Sequence, residues 1–208
     1  MAASSTSDPL VRVARFLDRT TAEGPGERTA IWVQGCSIRC PGCFNPQLFT
    51  TRGGTPTSAD ELVDRVVAAG TSGVTLLGGE PFEQAAGLAA VASGVRRAGL
   101  TVMTFSGYGY AYLSSSRDPA VAALLDATDL LVAGPFRADL LDHGRPWAGS
   151  TNQEFVHLTD RLRDVAAPDR VEVTVSPSGA VALNGWADQD TLDALLAGLP
   201  VRRSRSRD

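Results

Sequence analysis

All three cysteines of the chain fall within one stretch, Cys36-Ser-Ile-Arg-Cys40-Pro-Gly-Cys43. Three thiolates in a C-x3-C-x2-C array can hold three corners of a 4Fe–4S cube, and the missing fourth ligand leaves one iron open to a substrate. Thiolates also suit zinc. A structural zinc site needs four ligands, however, and the only imidazoles, His143 and His157, are remote from the array. An odd cysteine count without a secretory signal argues against disulfides and for a reduced, intracellular chain. No cysteine is left for a second cluster.

A second group is Gly78-Gly79-Glu80-Pro81, which follows the apolar run Val74-Thr-Leu-Leu77. Glycines let backbone approach a ligand closely, so their carbonyls can accept from an ammonium group. Glu80 either supports that charge or fixes the turn. Read alone, the motif is equally a plain turn before a helix.

These groups need elements to position them. Thr29-Ala-Ile-Trp-Val-Gln34 reads as a short strand delivering the chain to Cys36. An irregular Gly- and Pro-rich loop is expected from Cys36 to Thr57. Ser58-Ala-Asp-Glu61 is a capping box, opening a helix with Leu62, Val63, Val66 and Val67 on one face and Gly70 at its end. A helix is expected from Phe82 to Ala98, a strand over Leu100–Phe105, a helix over Pro119–Ala127 and a strand over Leu130–Ala133. Val171–Val175 and Ala180–Leu183 read as a hairpin across Ser176–Gly179. Leu192, Leu195, Leu196 and Leu199 have the spacing of one helix face.

Alternating strands and helices imply an α/β fold with a parallel sheet, in which ligands bind beyond the carboxyl ends of the strands. Cys36, Gly78-Gly79-Glu80, Ser106 and Gly134-Pro135 all fall at such ends. The chain is too short for eight βα units, so the expected form is an incomplete, open βα barrel.

At 208 residues, with 43% hydrophobic and 20% charged residues, the composition is that of one soluble domain. It is expected over 9–200, between a polar, disordered start at 1–8 and an Arg/Ser-rich disordered tail at 201–208. A net charge of −4 gives no reason to expect nucleic acid or a membrane surface as partner. No apolar run approaches the roughly 20 residues that span a bilayer, so the cytoplasm is the expected location. The chain has 19 arginines and no lysine. That excludes a Walker-A phosphate loop and any Schiff-base lysine.

The cysteine array followed by Gly78–Pro81 resembles the radical S-adenosylmethionine (SAM) enzymes. Glu23-Gly-Pro-Gly-Glu-Arg28, Trp32, Gly35, the cysteines and Asn45 resemble the signature of glycyl-radical-enzyme activating proteins. Phe105-Ser-Gly-Tyr108, Ala133-Gly-Pro-Phe136 and Arg145-Pro-Trp-Ala-Gly-Ser-Thr-Asn-Gln153 resemble the branch that serves anaerobic ribonucleotide reductases. The resemblance covers about residues 11–199. It departs at Gly42, where many members carry an aromatic, with Phe44 just after.

The resemblance implies one 4Fe–4S cluster on Cys36, Cys40 and Cys43, with SAM completing the open iron. Gly78, Gly79, Glu80 and Pro81 are then expected at the methionyl end and Gly42, Cys43 and Phe44 on the adenine side, where the competing reading of Phe44 is a core residue. Ser106 is expected at the methionyl or ribose end. The implied reaction is reductive cleavage of SAM to a 5′-deoxyadenosyl radical, which takes hydrogen from a glycine of a large partner enzyme. A flavodoxin or ferredoxin is the implied electron donor. Two other readings remain: a radical SAM enzyme acting on a small molecule or peptide, such as a deazapurine carboxylate synthase relative, and a non-catalytic Fe–S or zinc module.

Overall fold

Four short apolar runs pair side by side and in parallel: β2 (Arg28–Val33), β4 (Gly73–Gly78), β5 (Thr101–Ser106) and β6 (Leu130–Ala133). The computed structural model describes residues 9–165, 171–179, 181–185, 193–194 and 197. Within them β1 (Leu10–Thr20), β3 (Thr55–Ser58) and β7 (Glu154–His157) extend the sheet antiparallel, giving the order β3-β1-β2-β4-β5-β6-β7. No pairing joins the two edge strands among the described residues. The sheet is an incomplete βα barrel, mixed rather than purely parallel.

The helices form where the sequence signals them, with instructive differences. Ser58 caps α1 (Ala59–Ala69), its Oγ accepting from the Glu61 N–H at 3.2 Å, and Gly70 ends it at φ 66°. Leu62 and Val66 are fully buried, but Val67, expected on the same face, is 46% exposed. The helix expected from Phe82 opens instead as a 3-10 turn over Pro81–Gln84, and α2 begins behind it (Ala85–Arg97). Two further helices follow, α3 (Tyr110–Ser114) and α4 (Pro119–Asp126).

Residues 36–57, expected as one irregular loop, contain a 3-10 turn over Pro46–Leu48 and end in β3, which pairs with β1. Pro56 is tolerated there because β3 is an edge strand. A separate hairpin joins β8 (Val171–Val175) to β9 (Val181–Gly185), the second strand ending two residues later than expected. The leucine face of residues 192–199 and both tails lie outside the described residues.

Strand alternation divides the sheet into two faces. Ile31, Val33, Val74, Leu76, Val102 and Leu131 pack with Leu62, Val66, Leu88, Val91 and Leu124 of the helices in the main core. Each such side chain contributes on the order of 1.5–3 kcal/mol on burial. The other face carries Trp32, Leu77, Met103, Phe105, Leu130 and Val132. It faces the barrel interior, and the candidate site lies over it.

Candidate cofactor site

β2 ends at Val33 and releases the chain into the thiol loop through Gly35, at φ 101°. The loop is held from outside: the Gly35 N–H donates to the Leu48 carbonyl at 3.0 Å and the Cys36 N–H to that of Phe49 at 3.4 Å. The Cys43 N–H returns to the Cys40 carbonyl at 3.1 Å. Arg39 adopts a left-handed φ of 52°, unusual for a residue with a Cβ. Ser37 is fixed by Glu83, whose carboxylate accepts from both its N–H and its hydroxyl.

The end of β4 locks onto this loop by main chain. The Gly79 N–H donates to the Val33 carbonyl and the Glu80 N–H to that of Gly35, both at 2.8 Å. A Cβ on Gly79 would stand 2.1 Å from the Gly35 oxygen, so only glycine fits.

Glu80 is 1% exposed, and its carboxylate is engaged by three donors. Oε1 accepts from the Phe82 N–H at 3.0 Å and the Ser106 hydroxyl at 2.9 Å, and Oε2 accepts from the Gly107 N–H at 2.8 Å. Of the two roles the sequence allowed Glu80, this geometry serves the second, fixing the turn. It ties the end of β4 to the end of β5. Burial pushes its pKa up to about 7, against the opposing pull of the Phe82 and Gly107 N–H groups and the Ser106 hydroxyl. Ser106 also accepts from the Tyr108 N–H at 3.0 Å, and the Tyr108 hydroxyl donates to Glu83 at 3.3 Å.

Cys36, Cys40, Cys43, Gly78, Gly79, Glu80, Phe44 and Ser106 line one cavity, together with Trp32, Leu77, Phe105 and Phe136. Eight positions taken from the sequence thus meet at one place. Gly42 and Pro81 adjoin that lining without belonging to it. Gly42, at φ 77°, backs onto Ala138. Pro81 is buried behind the turn. Phe44 is no core residue: it is 53% exposed, with its ring 4.9 Å from that of Phe136.

The far wall comes from the Arg145–Gln153 motif. Gln153 accepts from the Gly149 and Ser150 N–H groups and donates to the Gly134 carbonyl, while Asn152 donates to that of Pro135. Gln153 caps nearby backbone, whereas Asn152 reaches backbone 17 residues away. The Ile38 and Glu83 contributions carry no sequence signal, whereas Glu23 belongs to the Glu23–Arg28 motif. Ile38 and Glu23 line the cavity, and Glu83 acts from behind through Ser37.

The donor set fits an iron–sulfur cluster. The three cysteines are free and half-buried. Among the described residues no three His, Cys, Asp or Glu side chains gather about one ion-sized point. Three thiols lining one cavity are the donor set that an iron–sulfur cluster takes. Burial raises all three thiol pKa values, and Cys43 presses on Cys40 and Cys36 on Cys43. Cationic iron supplies the charge that holds such thiols as thiolates. Backbone N–H groups already point at sulfur, that of Asn45 reaching the Cys43 Sγ at 3.4 Å.

Comparison with known proteins gives the geometry its family. Residues 22–156 match the model of a 4Fe-4S single cluster domain. The anaerobic ribonucleoside-triphosphate reductase-activating protein of Salmonella typhimurium strain LT2 is 30% identical over 158 residues, covering 71% of this chain and 99% of that protein. The chain belongs to the radical SAM activating-enzyme family. Its cofactors are accordingly an iron–sulfur cluster and SAM. The Vibrio cholerae protein of the same description is 33% identical over 147 residues, covering 65% of this chain and 91% of that one. The pyruvate formate-lyase 1-activating enzyme of Escherichia coli strain K12 is 28% identical over 186 residues, covering 86% and 70%. Among the described residues no helix is long and apolar enough to cross a membrane.

Proposed function

We propose that this radical SAM enzyme acts on an anaerobic ribonucleotide reductase, taking a hydrogen atom from a glycine Cα to leave a glycyl radical. The observation that carries the reading is a three-thiol cavity at the strand ends of a chain that matches a reductase-activating protein over 99% of that protein's length. When bound, the cluster supplies the electron that breaks the C5′–S bond of SAM, giving methionine and the 5′-deoxyadenosyl radical.

The residues divide the remaining work. Cys36, Cys40 and Cys43 hold the iron. The Gly79 N–H is committed to the Val33 carbonyl of β2, and the Gly78–Gly79 turn would offer carbonyls to the methionyl ammonium. Glu80 and Pro81 set the shape of that turn, Glu80 through its bonds to Phe82, Ser106 and Gly107. Ser106 borders the methionyl or ribose end, and Gly42, Cys43 and Phe44 form the adenine side. Trp32, Leu77 and Phe105 exclude water from the interior, protecting a reactive intermediate. The open edge of the barrel admits a flexible peptide. A flavodoxin or ferredoxin serves as electron donor, in the cytoplasm.

The test is electron paramagnetic resonance on the reductase after anaerobic incubation with reconstituted protein, SAM and reductant. A glycyl radical doublet on the reductase, with 5′-deoxyadenosine released in step, is the expected result. Deoxyadenosine without any radical on a reductase would move the assignment to a small-molecule or peptide substrate.

A further inference from the structure

Trp147, in the far wall of the cavity, bears two costs that the fold does not offset. The first is in the backbone. Its φ is 63°, in the left-handed region that a bulky side chain rarely adopts. The Ala148 N–H donates across it to the Pro146 carbonyl at 2.7 Å, so residues 146–148 form a γ-turn of the rare, strained hand.

The second cost is polar. The Trp147 Nε1–H is buried in the wall and has no acceptor. Buried donors in native folds are nearly always paired, and an exception calls for an explanation. The Asn152 Oδ1 and His157 Nδ1 atoms are also buried and unpaired, but neither residue lines the cavity. Trp147 does, with Phe136, Gly149 and Gln153.

The turn is held from both sides. Before it, the Asp142 carboxylate accepts from the Gly144 and Arg145 N–H groups, each at 2.9 Å, and pairs with the Arg145 guanidinium. That guanidinium also donates to the Ser150 and Gln153 carbonyls, at 3.0 and 2.7 Å. After it, the Gln153 side chain accepts from the Gly149 N–H at 2.8 Å. Backbone strain persists only where its neighbours over-determine it, and it gathers at ligand clamps and switches. One movement relieves both costs at Trp147: the turn opens, and the indole N–H swings from the wall to an acceptor in the cavity.

The place of the ring says what that acceptor is. The indole packs with Met103, Leu130, Val132 and Leu162, its centroid 6.2 Å from that of Phe155. Leu130 opens β6 and pairs with Met103 of β5, so the ring lies below the strand ends that carry Ser106 and Gly134. A hydrogen donor must reach this interior to meet a radical formed at the rim. Trp32, Leu77 and Phe105 make the rest of that interior apolar. An uncharged N–H that can only donate, in such surroundings, suits a main-chain carbonyl.

We propose that Trp147 binds the radical acceptor. Its Nε1–H donates to a main-chain carbonyl of the acceptor's glycine loop once that loop enters the barrel, and the γ-turn relaxes as it does so. This rests on the reductase reading of the site.

The experiment compares the reconstituted wild type with Trp147→Phe, which keeps a ring and removes the donor. The initial rate of glycyl radical formation is followed by electron paramagnetic resonance against the concentration of purified anaerobic ribonucleotide reductase. Release of 5′-deoxyadenosine is measured without reductase over a range of SAM concentrations. The variant should need about tenfold more reductase for its half-maximal rate, the equivalent of one hydrogen bond. Its maximal rate and the SAM dependence of deoxyadenosine release should match wild type. An unchanged half-saturating reductase concentration overturns the proposal. A weakened SAM dependence would assign the indole to SAM, and loss of deoxyadenosine release would assign it to the fold; either overturns it too. Absence of any radical with the wild type removes the reductase reading itself, and this inference with it.

Discussion

The rim of the cavity and its floor are built by different means. At the rim, around Cys36–Cys43, Gly78–Glu80 and Ser106–Tyr108, main-chain groups do most of the bonding, joining the ends of neighbouring strands. At the floor, long side chains reach across the fold. Arg28 is fully buried at the foot of β2, and its guanidinium donates to the Thr75 hydroxyl, the carbonyls of Pro25 and Val74, and both oxygens of Thr101. Gly24 leaves room for it: a Cβ there would stand 2.7 Å from the Arg28 Cδ. Asn184 and Gly185 of the hairpin close the floor from the side, bonding to Thr20 at 2.7 Å and to Glu23 at 3.1 Å. The rim is a shape that a ligand completes, whereas the floor is complete in itself. Chemistry should therefore fail at the rim and stability at the floor.

The largest effect expected is at the rim. Replacing Cys40 by Ala should lower bound iron from about four per chain to near none, while the far-UV circular dichroism and thermal midpoint stay close to wild type. Iron and sulfide analysis beside a melting curve checks both halves. A Cys40→Ala protein that fails to fold would erase the contrast.

Next in size is Arg28→Met. It leaves several buried acceptors without a donor and should cost about 3 kcal/mol or more of stability, read as a lower denaturant midpoint. Iron uptake by the fraction that folds should persist, because no thiol depends on Arg28. Loss of iron binding without loss of stability would show that floor and rim are one unit.

The finest comparison sets Glu23 against Glu80. Burial raises both carboxyl groups to about 7, with the Gly185 N–H the main opposing influence at Glu23. A group whose pKa rises on folding holds a proton that the unfolded chain releases. The folded state therefore loses relative stability as pH climbs from about 4.5 to about 7. Glu23→Gln removes that slope and still accepts from Gly185. It should match wild type near pH 4.5 and exceed it by about 1–3 kcal/mol near pH 8. Glu80→Gln should do the reverse, destabilising across the range, because an amide nitrogen would face one of the donors. Denaturant melts at three pH values distinguish the two, and parallel behaviour would show that Glu80 is not a clamp.

What could be read from the sequence follows the same division. Cys36, Cys40, Cys43, Gly78 and Gly79 are legible because each motif is contiguous and its chemistry follows from residue type. The caps Ser58 and Gly70 are legible for the same reason. Arg28 stands inside a recognisable motif, yet its partners Thr75 and Thr101 lie 47 and 73 residues away, and nothing local announces them. β1 escapes because exposed Arg15 and Asp18 interrupt its apolar alternation, and β7 because four residues carry too little pattern. The clamp on Glu80 is not legible locally, because Ser106 and Gly107 close on it from 26 and 27 residues away.

The strand order has a consequence for how the molecule is made. Once β1, β2 and β3 have paired, each later strand joins the same advancing edge, β4, then β5, β6 and β7. A chain emerging from the ribosome N-terminus first can extend this sheet in the order of its synthesis, with no strand waiting for a distant one. Both ends of the thiol loop are anchored once residue 58 has been added, since β3 pairs with β1 there. Glu80, Ser106 and the far wall all follow later in the chain. The segment that braces the thiol loop thus precedes in sequence the strands that carry Glu80, Ser106 and the far wall.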